Sequence, residues 1–391
     1  MLTLEEALEM VLSSARQLGS ERVDLAVALN RILAEDVTSD IDVPPFDRSA
    51  MDGYACRRTD LASELLVVET IRAGCAPRET VGPNQCSKIM TGAVVPQGAD
   101  CVIMKEYTDA PRESAVRFVG DKTADNICLK GEDIGAGEVV LRGGTRIRPQ
   151  HIATLATVGC THPLVSEQPK VGILSTGDEL VKPDEKPGYS QIRESNSHQL
   201  SAQIGQIGGM ARNYGIVPDH RQDTDKALRE AMAENDVVIL SGGVSAGDYD
   251  FVPDVMTQIG INVLFRKIAI KPGKPTVFGV WDDVYCFGLP GNPVSSFVVF
   301  ELLVKPFMYR LMGHDYRPPR VRVSLATKVS RRKTERRSWI PVVIMDDLRA
   351  EPVEYHGSAD IRALADAHGL ISLDIGVAEI PEGTTVWVVL I

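Results

Sequence analysis

From Lys170 to about residue 317, short apolar runs alternate with helical segments, and most of the runs end in a polar, glycine-bearing loop. No other feature limits the fold so tightly. The runs are Val171–Leu174, Tyr214–Val217, Val237–Leu240, Val263–Ile270 and Tyr285–Leu289; helical spacing covers 195–207, 224–234 and 293–312. Such alternation predicts a mostly parallel sheet with right-handed crossovers. The carboxyl ends of parallel strands share one edge, where ligands bind in the crevice beyond the strands. Loops far apart in sequence are therefore expected to meet there.

Those loops carry a consistent chemistry. The first is Ser175-Thr176-Gly177-Asp178-Glu179, the second Pro218-Asp219, and the third SGGVSAGDYD, with Ser241, Gly242, Gly243, Asp248 and Asp250. The fourth is KPGKP, with Lys271 and Lys274 and with Lys267 just upstream; the fifth is Pro290-Gly291-Asn292-Pro293. Ser-Gly-Gly and Gly-Asn-Pro offer backbone N–H groups to an anion, the latter at a helix N-terminus. Lysines and amide nests beside carboxylates suit a phosphorylated ligand held with Mg²⁺, since carboxylates ligate the hard cation and cations grip phosphate oxygens. Taken singly, each piece has a plainer reading: a Gly-Gly turn, a helix cap for STGDE, a solvated turn for KPGKP. Their recurrence at successive strand ends favours a functional crevice. A P-loop and a GxGxxG after the first strand are both missing, which disfavours a P-loop NTPase or a dinucleotide dehydrogenase. The seven histidines show no metal-ligand spacing, and Ser245 and Ser296 lack a histidine partner in motif context.

Outside this region the texture changes. Residues 3–18 read as an amphipathic helix with a Thr3/Glu6 capping box, and Leu25 to Ala34 as a second helical pattern. Leu65–Thr70, Cys101–Met104 and Ala115–Phe118 are short strands in a small β-rich region, and Gln150–Val158 is a further helix. After Pro318-Pro319 the alternation at Val321, Val323 and Leu325, with Trp339–Ile344 and Val386–Ile391, indicates an all-β domain. The helix from Val294 is apolar on nearly every side, so it is either deeply buried or part of a subunit interface. The basic run Lys328, Arg331, Arg332, Lys333, Arg336, Arg337 reads as a solvated hairpin face or as a rim meeting a phosphate.

At 391 residues the chain needs several domains. A net charge of -11 argues against nucleic acid or an anionic membrane as the main partner. Seven scattered cysteines without a C-x-x-C pair indicate free thiols in a reducing compartment. The N-terminus MLTLEEALEM lacks a signal pattern and no stretch is long and apolar enough to span a bilayer, so a cytoplasmic protein is expected.

A second feature is PPFDRSAMDGYA (44–55), a carboxylate-rich, glycine-bearing loop with Asp47 and Asp52, followed by MTGAVVPQGAD (90–100) with Thr91. With GEDIGAGEVVLRGGTRI (131–147), PKVGILSTGDEL (169–180), SNSHQL (195–200), VILSGGVSAGDYDF (238–251), IAIKPGKP (268–275) and GLPGNPVSSF (288–297), these blocks resemble the molybdopterin molybdenumtransferases, in that family's order. This family comprises the MoeA-type enzymes and includes the equivalent domain of gephyrin. The resemblance implies a multidomain α/β and β protein. Residues 1–44 and 136–169 would form a helical N-terminal and linker domain, 45–135 a small β-rich inserted domain, 170–317 a central α/β molybdopterin-binding domain with a mostly parallel sheet, and 318–391 a C-terminal β-barrel.

It also implies a reaction. Adenylylated molybdopterin is bound, its pyrophosphate bond is cleaved to release AMP, and molybdate enters the dithiolene, with Mg²⁺ required. The family's functional positions fall on Asp52, Thr91, Glu179, Asp219, Asp250, Lys267, Lys271, Pro290 and Pro293. Glu179, Asp219 and Asp250 are expected to hold Mg²⁺ or orient the ligand, and Lys267 and Lys271 to bind molybdate or neutralise developing charge. Asp52 and Thr91 are expected to act from the small domain, closing the site from the other subunit of a homodimer. Transient contact with the molybdopterin adenylyltransferase and with apo-molybdoenzymes is expected as well. The chain departs from the pattern at HGSADIRALADAHGLISL (356–373), where Ala359 and His368 replace the family's Gly and Asn beside Ser358. Two other readings stay open: a carrier or scaffold paralogue, as gephyrin also clusters partners, and the adenylyltransferase, whose single domain is similar to residues 170–315. The extra domains weigh against the latter.

Overall fold

The computed structural model describes residues 1–112, 114–245 and 251–391. The chain forms two compact units, one of Met1–Glu35, Gly143–Arg148 and Leu164–Ile391, the other of Asp36–Arg142 and Pro149–Pro163.

The first unit starts with helix α1, Leu4–Ser14. Its capping box forms: the Glu6 N–H donates to Thr3 Oγ1 at 3.2 Å, and the Thr3 N–H donates to Glu6 Oε2 at 2.7 Å. The helix stops four residues before the expected end at 18. Ser13 and Ser14 turn their hydroxyls back onto the Met10 and Val11 carbonyls, and the Arg16 N–H leaves the helix for Tyr285 Oη at 2.9 Å. The helix expected over Leu25 to Ala34 does not form. Only a 3-10 turn at Leu25–Val27 survives, because Asn30 takes a left-handed φ of 67° and Ile32 and Leu33 bridge instead to Arg146 and Val165.

A six-stranded sheet follows: β1 Lys170–Thr176, β2 Met210–Val217, β3 Val237–Ser241, β4 Asn262–Phe265, β5 Val277–Trp281 and β6 Val284–Leu289, in the spatial order β2-β1-β3-β6-β5-β4. The first four pair in parallel; β5 and β4 add antiparallel. Helices α2 (Asn196–Gln206), α3 (Arg221–Glu234) and α4 (Val252–Gln258) complete the crossovers. The run Val263–Ile270 is not one strand: β4 ends at Phe265, and Ile270–Lys271 pairs with the C-terminal sheet at Arg337 and Ser338. Val263–Phe265 and Ile268–Ile270 are two apolar stretches separated only by the exposed Arg266 and Lys267, so the shared hydrophobicity hides a crossing between two sheets.

Helix α5 spans 293–311, with a π turn at Phe300–Val304 between α-helical Pro293–Val299 and Lys305–Leu311. Pro306 has no N–H for the Leu302 carbonyl, and the wider turn absorbs the break. The helix is covered within the chain. Phe307 packs edge-on to Tyr285 and Phe287, with ring centroids 4.8 and 5.4 Å apart, and α1 lies against it. Its apolar surface therefore answers to burial within the chain. One ion pair is buried here: Lys305 Nζ lies 2.7 Å from Glu301 Oε2, and Gln203 Nε2 donates to Glu301 Oε1 at 2.8 Å.

Strands β7 Arg320–Leu325, β8 Arg337–Ile344, β9 Arg349–Pro352, β10 Gly369–Leu373 and β11 Thr385–Leu390 close a barrel in the order β8-β9-β7-β11-β10-β8. Val323, Leu325, Val342, Ile371 and Val388 fill it. In the second unit, Cys101–Met104, Gly53–Cys56, Gln85–Ile89, Glu64–Ile71, Ala115–Phe118 and Thr108–Arg112 form a six-stranded sheet in that spatial order. Its core includes Cys56, Cys86 and Cys101. Helix Pro149–Thr157 belongs to this unit. Among the described residues, no helix is long and apolar enough to cross a membrane.

Replacing Lys305 by Met leaves the Glu301 carboxylate buried without its cation and is expected to cost about 3–5 kcal/mol in denaturant unfolding. The double variant Glu301→Gln/Lys305→Met should recover most of that loss. If the single variant unfolds at the wild-type midpoint, the buried pair does not contribute to stability.

Candidate functional site

In the order β2-β1-β3, the crossover from β1 to β2 runs one way and that from β2 to β3 runs back past β1, so a crevice opens beyond the carboxyl ends of β1 and β3. Register places Ser175, near the end of β1, beside Ser241 at the end of β3, and Ser241 beside Leu289 at the end of β6. The cleft above them measures about 730 Å³. Of the residues expected from sequence, Ser175, Thr176, Gly177, Glu179, Asp219, Ser241, Gly242, Gly243, Pro290, Gly291, Asn292 and Pro293 line it. Asp178, Lys267, Lys271 and Lys274 are exposed and lie outside that lining. Asp248 and Asp250 lie outside the described residues.

The loops are stitched together. The Asp219 N–H donates to Asp178 Oδ1 at 3.0 Å, which ties the end of β2 to the end of β1. Glycine is required in the Ser-Gly-Gly turn: Gly242 and Gly243 have φ of 105° and 63°, and a Cβ on Gly242 would fall 2.4 Å from the Thr176 carbonyl oxygen. The two loop backbones can approach only because that side chain is missing.

Two buried residues that the strand-end argument did not single out tie the floor of the cleft together. Glu194 Oε1 accepts from Ser175 Oγ at 3.0 Å and from the Ser197 N–H at 2.8 Å, while Oε2 accepts from Ser197 Oγ at 2.6 Å. Asn196 Nδ2 donates to Ser241 Oγ and to the Gly291 carbonyl, both at 2.7 Å. Asn196 stood inside the SNSHQL block; Glu194 precedes it, and nothing in their spacing marked either. The barrel also reaches this cleft, through Ala359 and Ile361. Asn292 Nδ2 donates to Ser358 Oγ at 2.8 Å, and the Val294 N–H donates to the Ser358 carbonyl at 3.1 Å. Since Pro293 has no N–H, the first two positions of α5 offer no donor to an anion, contrary to the simple helix-terminus expectation.

Asp52 and Thr91 meet in the second unit. Asp52 Oδ1 accepts from the Thr91 N–H at 2.8 Å and from Thr91 Oγ1 at 2.9 Å, and Lys105 Nζ lies 3.7 Å from Oδ2. The Thr91 bonds, and after them the Lys105 charge, hold the Asp52 carboxyl below its ordinary value of 3.8.

Comparison with known proteins accounts for all three regions. The "MoeA N-terminal region (domain I and II)" matches residues 2–159, the "Probable molybdopterin binding domain" residues 172–310 and the "MoeA C-terminal region (domain IV)" residues 322–391. The molybdopterin molybdenumtransferase of Bacillus subtilis is 36% identical over 404 residues, covering 100% of this chain and 94% of that protein. The chain belongs to the MoeA family. The Haemophilus influenzae molybdopterin molybdenumtransferase is likewise 36% identical, over 99% of this chain and 98% of that protein. The crystal structure of the molybdopterin biosynthesis moeA protein from Pyrococcus horikoshii OT3 superposes with a TM-score of 0.87 at 31% identity, covering 100% of both chains. The fold is thus the MoeA fold, a multidomain α/β architecture with a mixed central sheet, a curled β domain and a five-stranded barrel.

Because folding lowers the Asp52 pKa, the bonded carboxylate stabilises the protein fully above pH 3.8, and that contribution is lost as pH falls through the native value. Thr91→Val should raise the Asp52 titration towards 3.8, and Lys105→Gln should raise it less, as read by carboxyl-carbon NMR. A Thr91→Val titration identical to wild type would show that the hydroxyl bond does not form in solution.

Proposed function

We propose that the cleft beyond β1, β3 and β6 holds adenylylated molybdopterin while its phosphoanhydride is cleaved and molybdate is inserted. The chain's place in molybdenum cofactor biosynthesis, as a molybdopterin molybdenumtransferase that inserts molybdate into molybdopterin, follows from its full-length family membership. The observation that carries the proposal is the convergence of separate strand-end motifs on one cleft. Ser-Gly-Gly supplies close backbone approach for phosphate oxygens, and Gly291 lies directly beside it, since a Cβ there would fall 3.5 Å from Gly242 Cα.

The donor set suits Mg²⁺. Carboxylates outnumber cations in the lining, with Glu179, Glu194 and Asp219 against Arg193. Glu194 has spent both oxygens on hydrogen bonds, which leaves Glu179 and Asp219, with Asp250 assigned by motif, to hold the ion. Mg²⁺ takes one or two carboxylates plus substrate phosphate oxygens, so no three-carboxylate cluster is needed. When bound, the ion offsets the charge of the phosphoanhydride against this acidic wall. Lys267 and Lys271 enter as molybdate-binding residues, and Asp52 and Thr91 as catalytic residues, on their motifs alone. A cytoplasmic homodimer in transient contact with the adenylyltransferase and apo-molybdoenzymes belongs to the same proposal.

AMP release from adenylylated molybdopterin tests it, with Mg²⁺ and with or without molybdate. Wild type should release AMP in a molybdate-dependent way, and Asp219→Ala should lose about 100-fold or more. Wild-type protein that binds the pterin but releases no AMP under any condition would replace this reading with a carrier.

A further inference from the structure

The Asn196 amide settles the polarity of a hydroxyl in the cleft. Its nitrogen lies 2.7 Å from the Gly291 carbonyl oxygen. A carbonyl only accepts, so the amide atom facing it must be Nδ2 and not Oδ1. That same nitrogen lies 2.7 Å from Ser241 Oγ. Both Asn196 hydrogens are then used, and an amide nitrogen accepts nothing, so Ser241 Oγ is the acceptor of that bond. The hydroxyl proton of Ser241 points elsewhere, and it has no acceptor among the described residues. Ser175, beside it in register, has the opposite fate: its proton goes to Glu194.

We infer that Ser241 donates its hydroxyl proton to an anionic oxygen of the substrate, and that Asn196 is the positioning residue that makes it a donor. This rests on the proposed function of the same cleft. Two oxyanions meet the chemistry, a phosphoryl group and molybdate. Asn196 also pins Gly291, so one side chain sets a hydroxyl at the end of β3 and a backbone turn at the end of β6. An aspartate at 196 would reverse the arrangement: its carboxylate would take the Ser241 proton and face the Gly291 carbonyl with like polarity.

The test is steady-state AMP release by wild type, Ser241→Ala, Ser241→Thr, Asn196→Asp and the double variant Asn196→Asp/Ser241→Ala. Ser241→Ala and Asn196→Asp should each lower kcat/KM by about 10- to 100-fold, as expected for a lost hydrogen bond to a charged group. The double variant should be no worse than the poorer single variant, and Ser241→Thr should keep most of the activity. A loss confined to KM for adenylylated molybdopterin assigns the donor to phosphate; one confined to KM for molybdate assigns it to that oxyanion. Wild-type kinetics in Ser241→Ala, or multiplied losses in the double variant, would overturn the inference. Should Asn196→Asp fail to fold, the Ser241→Ala and Ser241→Thr pair decides. Calorimetric binding of AMP and of molybdate reads the donor without turnover. A wild type that binds but does not turn over counts against the function alone, and an affinity unchanged in Ser241→Ala for both anions counts against the donor.

Discussion

The parallel register of β1 with β3 and of β3 with β6 is the constraint on which the rest of the site depends. Ladder hydrogen bonds between parallel strands force their carboxyl ends onto one edge. That brings Ser175 beside Ser241, and Ser241 beside Leu289, just before the Pro290 turn. The reversal of crossover direction at β1 then keeps helices from covering that edge. Residues 66 positions apart, Ser175 and Ser241, and 48 apart, Ser241 and Leu289, become neighbours without any of them having to attract another.

The floor so formed is held by polar bonds in a place where unpaired groups are costly. Glu194 and Asn196 sit on either side of the start of α2 and reach different strand ends, Ser175 for one and Ser241 with Gly291 for the other. The barrel loop at Ser358 adds a third tie by taking the Val294 N–H and the Asn292 amide. It closes the end of α5 that a free helix terminus would have offered to an anion. In the function proposed above, anion recognition therefore rests on the Ser-Gly-Gly turn, the Ser241 hydroxyl and a cation on the carboxylates, with Lys267 and Lys271 entering on their motif alone.

Much of this was legible in the chain. Periodicity located β1, β3 and β6 and helices α2, α3 and α5 within a few residues, because buried strands and amphipathic helices leave strong apolar patterns, whereas the short α4 was missed. The loops after them announced their chemistry by glycine, serine and carboxylate content. Periodicity failed where apolar character served two structures at once. Leu25 to Ala34 carries a helical pattern but is spent on bridges to Arg146 and Val165, and Val263–Ile270 reads as one strand while serving two sheets. The apolar α5 could not be assigned from sequence to core or interface, since both bury the same side chains; Phe307 against Tyr285 and Phe287 decides for the core.

By itself the sequence determined the family, the alternating α/β character of the central region and the kinds of group available at each strand end, since all three are written in local pattern and motif. Tertiary structure alone decided which of those groups share a cleft. Lys267, Lys271 and Lys274 stand outside it, while Glu194 and Asn196, unremarkable in composition, are buried in its floor. It also decided the direction of hydrogen bonds. A serine can give or take a proton, and only a neighbour that can do one of the two, such as the Asn196 amide, settles which.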